Sequence, residues 1–188
     1  ADSLVFNPHK WMLTNFDCSA YFVRDPGALV RALEIHPEYL KTGDDAKVKN
    51  LRDWGIPLGR RFRALKLWFV VRGYGVEGLQ AMVREHLRLA ALVREWVEAD
   101  PRFELMAPAD LALVCFRLNG GRDEAGLDDL NKRFLERVNA AGPVHLTHTT
   151  LGGRFTVRLV VGQRTTEERH VRAAWDILSA AADEALKG

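Results

Sequence analysis

"GRRFRALKLWFVVRGYGVEGLQAMVREHLRLAALVREWVEADP", residues 59–101, decides the fold class. In its first part Phe62, Leu65, Leu67, Trp68 and Val71 recur at helical spacing until Gly73 and Gly75 interrupt them. The pattern then resumes. From about Val76 to Ala99, Leu79, Met82, Val83, Leu87, Ala90, Val93, Trp96 and Val97 share one face, and Asp100-Pro101 stops the run. The stretch reads as two successive helices, the second too long to be a simple connector.

Toward the C-terminus, Phe103 to Met106 and Leu111 to Leu118 have strand character, and a helix is expected from about Leu127 to Ala140. Strands at Val144 to Leu151 and Phe155 to Val161 and a helix from Glu167 to Leu186 follow. Strand, strand, helix, strand, strand, helix, led in by a long helix, describes an α+β domain with helices on one face of a small, mostly antiparallel sheet. Toward the N-terminus lie two short strands, Leu4 to Phe6 and Ser19 to Val23, then a helix at Gly27 to Leu33 after Pro26. Residues 36–57 carry Pro, Gly and many charges without periodicity and read as a long loop. Two strands and a loop cannot bury both faces of a sheet, so the first 60 or so residues look incomplete. Ala1 is not a methionine and enters a strand at once, which suggests a piece of something longer.

Of the 188 residues, 47% are hydrophobic and 28% charged, a soluble globular composition that argues against extended disorder. The longest apolar runs fall far short of the roughly 20 residues a membrane helix needs, and a cytoplasmic protein is expected. A net charge of +2 is too mild to imply nucleic acid, and the cluster Arg60, Arg61, Arg63 and Lys66 reads as a solvated or interface-lining helix start. Cys18 and Cys115 sit among strand-like apolar residues, where small buried thiols are usual. His145 and His148 form an HxxH pair without a third ligand and read as structural, so no metal is expected.

Lys10 closes the first apolar segment, in "DSLVFNPHKWM" (residues 2–12). A lysine there could be a solvent-facing partner of Asp2 or Asp17. Between aromatic and apolar neighbours at the edge of a buried strand, it is instead placed where desolvation favours the neutral amine, the form a Schiff-base lysine needs. "NPHKW", "NFDCSAYFV", "PEYLK", "IPLGRRFRALKLWFVVRGYGVEGL" and "DPRFEL" occur in order at suitable spacings. With them the whole chain resembles the pyridoxal-phosphate-dependent aromatic-L-amino-acid decarboxylases, and less closely the wider group II decarboxylases.

That resemblance implies an α/β fold of the pyridoxal-phosphate-dependent transferase type, aspartate aminotransferase-like fold type I. Residues 1–65 would be the C-terminal remnant of a large cofactor-binding domain with a catalytic loop at about 36–57, and residues 66–188 a small α+β domain. It implies pyridoxal 5'-phosphate as cofactor, with Lys10 forming the Schiff base, His9 at the pocket and Asn7 near the phosphate. Tyr39 matches the tyrosine of a mobile loop that closes over the partner subunit's site in a homodimer, and Gly59 a position at the dimer interface near the phosphate and substrate ring. The implied activity is decarboxylation of aromatic L-amino acids. The cofactor would act as electron sink and Tyr39 as general acid at Cα, because an unperturbed phenol titrates near 10 and stays protonated at neutral pH. Members that form aldehydes oxidatively carry Phe where Tyr39 stands. The absent side chain of Gly59 would leave room for a bulky aromatic substrate.

In the family the acidic partner of the pyridinium nitrogen, the aromatic ring stacked on the cofactor and the cluster of small residues and backbone amides that holds the phosphate all lie upstream of the lysine motif. The isolated chain is therefore expected to be inactive. The alternative is a truncated, non-catalytic homologue acting as an interaction or dimerisation module.

Overall fold

The computed structural model describes residues 1–35, 39, 43, 47–121 and 123–187. The chain divides into two compact units, Ala1–Leu79 and Gln80–Gly188. In the first, β1 (Ser3–Phe6) pairs antiparallel with β2 (Ala20–Val23), Phe6 opposite Ala20 and Ser3 opposite Val23. Helix α1 (Pro26–Leu33) starts where the Asp25 carboxylate accepts the Ala28 N–H at 3.2 Å and Pro26 supplies a preset φ. A 3-10 turn spans Leu51–Trp54 inside the stretch expected as loop. The rest of that expected loop at 36–38, 40–42 and 44–46 lies outside the described residues.

The two expected helices are both present within Arg63–Ala99 (α2) and meet at a kink at Gly75 (φ 68°, ψ 166°), a backbone conformation open to glycine that costs other residues about 1–3 kcal/mol. Beyond the break His86, Leu89, Ala90, Val93 and Val97 form the buried stripe. The remaining elements of the second unit are β3 (Phe103–Leu105), β4 (Leu113–Leu118), α3 (Glu124–Ala140), β5 (Thr147–Leu151), β6 (Arg154–Val160) and α4 (Glu168–Lys187). They make an antiparallel sheet of order β3-β4-β6-β5, the α+β arrangement read from the sequence. Register puts Phe103 opposite Leu118, Phe116 opposite Val157 and Val114 opposite Leu159, so across β3, β4 and β6 one face is apolar. Helix α3 is capped by Asp123, whose carboxylate accepts the Gly126 N–H at 2.8 Å. The buried Asn131 ties it to β4, accepting from Leu118 N–H at 2.7 Å and donating to Leu118 C=O at 3.1 Å. On the opposite face of the sheet Arg117, its side chain only 4% exposed, reaches Glu104 at 2.6 Å and Glu124 at 2.8 Å. His148 stacks on Phe155 at 4.6 Å, a packing contact. Cys18 and Cys115 are both buried and free, as expected of structural thiols.

The two units differ in how they satisfy their apolar residues. Leu89, Val93, Val97, Val114, Phe116, Leu130, Phe134, Val157 and Leu178 are all at most 1% exposed. In residues 1–79, Cys18 is the one buried hydrophobic side chain among the described residues, while Leu4, Val5, Tyr21 and Phe22 are all more than half exposed. Successive strand residues point to opposite faces, so both faces of the β1–β2 ribbon are apolar and open. The expectation that Lys10 ends a buried strand is corrected here. The apolar run does form a strand, but the described residues hold nothing that covers it.

Phe116 packs edge-on against Phe103 at 5.8 Å in the centre of the second unit. Phe116→Ala is expected to destabilise that unit by about 3–5 kcal/mol, measured as a lowered urea midpoint by circular dichroism.

Candidate active site

Between β1 and β2 the chain makes a turn in which the backbone supplies most of the ties. Lys10 N–H donates to Asn7 C=O at 2.9 Å, Leu13 N–H to Lys10 C=O at 3.3 Å and Thr14 N–H to Pro8 C=O at 3.0 Å. Leu13 is held at φ 58°, in the left-handed region that a leucine rarely adopts, three residues after the lysine. Pro8 and Thr14 are buried, and the Thr14 hydroxyl has no hydrogen-bond partner among the described residues.

The second strand grips this turn. The His9 imidazole lies against the Cys18 backbone, with Nδ1 at 2.7 Å from the carbonyl oxygen and 3.0 Å from the amide nitrogen. A further bond runs from His9 N–H to Cys18 C=O at 3.3 Å. The Phe16 ring meets the imidazole edge-on at 5.0 Å. Ser19 Oγ donates to Asn7 Oδ1 at 2.6 Å, which commits the amide oxygen as acceptor and keeps its NH2 group as a donor. Asn7, His9 and Lys10 are thus brought together on one turn.

Lys10 itself is exposed, so the desolvation expected at its amine is not supplied by the described residues. Neither carboxylate considered as its partner is available, because Asp2 pairs with Arg24 at 3.2 Å and Asp17 with Arg61 and Arg63. A cavity of about 470 Å³ adjoins the turn, lined by Cys18, Ser19, Arg60, Phe62 and Arg63 among others. Gly59 lies in the exposed stretch just before α2, and a Cβ added there would meet nothing within 4 Å. Local packing therefore does not require glycine at this position. Tyr39 is 78% exposed, and Pro37, Glu38, Leu40 and Lys41 of its motif lie outside the described residues. Among the described contacts none joins Tyr39 or Gly59 to the lysine turn.

The donor set fits a cofactor that carries an aldehyde and a phosphate. An exposed primary amine, an amide with its NH2 available and an oriented imidazole are the chemistry such a group requires. The residues that sequence reasoning left without a role are Phe16, Asp17, Cys18 and Ser19. Their motif stood out, but backbone contacts to a histidine nine residues away carry no compositional signal.

A family profile described as "Pyridoxal-dependent decarboxylase conserved domain" matches residues 1–119. An aromatic-L-amino-acid decarboxylase of Catharanthus roseus is 43% identical over 188 residues, 99% of this chain and 38% of the relative. A crystal structure of Oryza sativa TDC with PLP and tryptamine superposes with a TM-score of 0.91 at 41% identity, covering 99% of this chain and 39% of that one. A Rhodiola rosea 4-hydroxyphenylacetaldehyde synthase superposes at 0.84 with 36% identity, covering 98% and 37%. The chain spans less than two fifths of the length of each.

The hydrogen bond from Arg63 holds the Asp17 carboxyl below its ordinary range. A carboxylate whose folded pKa is depressed contributes stability above its unfolded value and loses it as pH falls through the folded one. Asp17→Asn is therefore expected to lower the thermal midpoint at neutral pH only slightly, a partly exposed pair contributing little. In a pH series of melting curves the gap to the unaltered protein should close only below about pH 4.

Proposed function

This chain belongs to the pyridoxal-dependent decarboxylase family and has part of its α/β fold, and from that premise we propose that the protein carrying it decarboxylates aromatic L-amino acids to amines. The observation that carries the reading is that likeness to aromatic decarboxylases runs through 99% of the chain, lysine turn included. Residues 1–65 are read as the end of the large cofactor-binding domain and 66–188 as the small domain. A homodimer and a cytoplasmic location belong to the same proposal.

Pyridoxal phosphate, when bound, supplies an electron sink for the bond broken at the substrate's Cα. The work assigned to this chain is placement and proton transfer. Lys10 offers the amine that attaches the cofactor covalently. Asn7, its oxygen already committed to Ser19, would offer its NH2 as a donor to the phosphate. His9 is held by Cys18 at the pocket wall. Gly59 leaves space for an aromatic ring, and the Tyr39 hydroxyl gives a proton to Cα once carbon dioxide has left, a role that suits a phenol at neutral pH.

A second reading is oxidative formation of an aldehyde, favoured by the 36% identity to the Rhodiola synthase. Tyr39 argues against it, because the aldehyde-forming members that resemble this chain carry Phe at that position. The two readings part on product. The full-length protein with pyridoxal phosphate is expected to release carbon dioxide and amine from tryptophan, tyrosine or dihydroxyphenylalanine. Tyr39→Phe should cut amine formation by about 10²–10⁴-fold and divert the product to aldehyde. After borohydride reduction a cofactor adduct should be found by mass spectrometry on Lys10 and be lost in Lys10→Ala, with the isolated 188-residue chain as the inactive control. Aldehyde as the main product of the unaltered protein would refute the decarboxylase reading. Gly59→Ser is expected to shift kcat/KM away from bulky aromatic substrates, measured by competition between tryptophan and a smaller amino acid.

A further inference from the structure

Asp17 has both carboxylate oxygens engaged by residues more than forty positions away. Arg63 brings Nε and Nη2 to Oδ2, each at 3.1 Å, and Arg61 Nη2 meets Oδ1. Arg63 is the first residue of α2, and its carbonyl lies 4.0 Å from the Cys18 thiol. The neighbours of Asp17 in sequence are the two residues that hold His9: Phe16 meets the imidazole edge-on, and Cys18 presents both its carbonyl and its N–H to Nδ1. A neutral ring can use only one of these at Nδ1. A proton there takes the shorter contact, to the carbonyl, and leaves Nε2 as the acceptor.

An ion pair of this exposure contributes little to global stability, since the side chains of Asp17 and Arg63 are 31% and 33% exposed. Local packing does not hold the imidazole either, because Phe16 is 83% exposed and only Pro8, Thr14 and Cys18 are buried around the turn. Beyond its bonds to His9, the 16–18 segment is tethered to the two arginines. We propose that Asp17, gripped by Arg61 and Arg63, is a positioning residue: it fixes the orientation and tautomer of His9 through Phe16 and Cys18 and couples the lysine turn to the segment after Gly59. The proposal rests on the reading of His9 as part of a cofactor pocket.

The test is a double-mutant cycle in the full-length protein loaded with pyridoxal phosphate, comparing Asp17→Asn, His9→Gln and the pair. The readouts are the cofactor dissociation constant, by fluorescence titration, and the pH midpoint of the bound cofactor's visible absorption band. Asp17→Asn should weaken cofactor binding about tenfold and move the midpoint when His9 is present, and change both less than about twofold when His9 is Gln. Equal effects in the two backgrounds would overturn the proposal. If Asp17→Asn has no cooperative melting transition, Arg61→Gln and Arg63→Lys take its place under the same criterion. Arg63→Lys should have the larger effect, because it gives up a two-pronged grip while Arg61 is 71% exposed. If the unaltered protein develops no absorption band, the functional reading has failed. The positioning is then decided in the apo protein by the carbethoxylation rate of His9, read by peptide mass: several-fold faster in Asp17→Asn supports it, and an unchanged rate overturns it.

Discussion

The antiparallel pairing of Ser3–Phe6 with Ala20–Val23 closes the loop that carries the lysine, and the candidate site depends on that closure. Once Phe6 stands opposite Ala20, the chain on either side has nowhere to go but into a compact turn. There, carbonyls and amides that would otherwise be unsatisfied find one another: Lys10 with Asn7, Thr14 with Pro8, His9 with Cys18. The side chains follow from the backbone. His9 is oriented because its ring nitrogen sits beside the peptide of Cys18, and Asn7 because Ser19 continues the same strand. The side chains of the candidate site are thus placed largely by hydrogen bonds within one hairpin, with little help from hydrophobic packing.

The second unit works the other way. Its sheet is apolar on one face, its helices bring matching stripes, and polar groups such as Asn131 and Arg117 enter only with their partners in place. Stability sits in this unit, while the groups assigned to chemistry sit in the other. Exposed apolar residues are concentrated in the unit that holds the candidate site, as at Leu4, Tyr21, Phe22, Trp68 and Phe69. That distribution fits a chain that covers less than two fifths of its relatives' length.

Much of this was legible in the sequence because the signals are local. The helical spacing from Phe62 to Val97 gave both helical runs, and the glycines near 75 marked the break that Gly75 makes. The strands of the second sheet, bounded by Pro, Gly and Asp, fell within a few residues of their observed ends. The lysine turn was found from its residue types and from the resemblance those types carry. Burial was misread, since an apolar strand signals burial in whatever it packs against, and Leu4 and Val5 pack on nothing described here. The Asp17 tether was out of reach for another reason. Asp17 and Arg63 are 46 positions apart, and charge alone offered Lys10 as an equal candidate partner.

The open ribbon β1–β2 also governs how this chain behaves outside its natural setting. Among the described residues, a two-stranded sheet with apolar side chains on both faces leaves N–H and C=O groups unpaired along its outer edges. Neither strand carries a lysine or a proline to discourage pairing with a further strand. Open, apolar edges of this kind are a liability for self-association of the isolated chain, and they belong to the same hairpin that carries Lys10. That liability lies in the hairpin, however firmly residues 80–188 are folded.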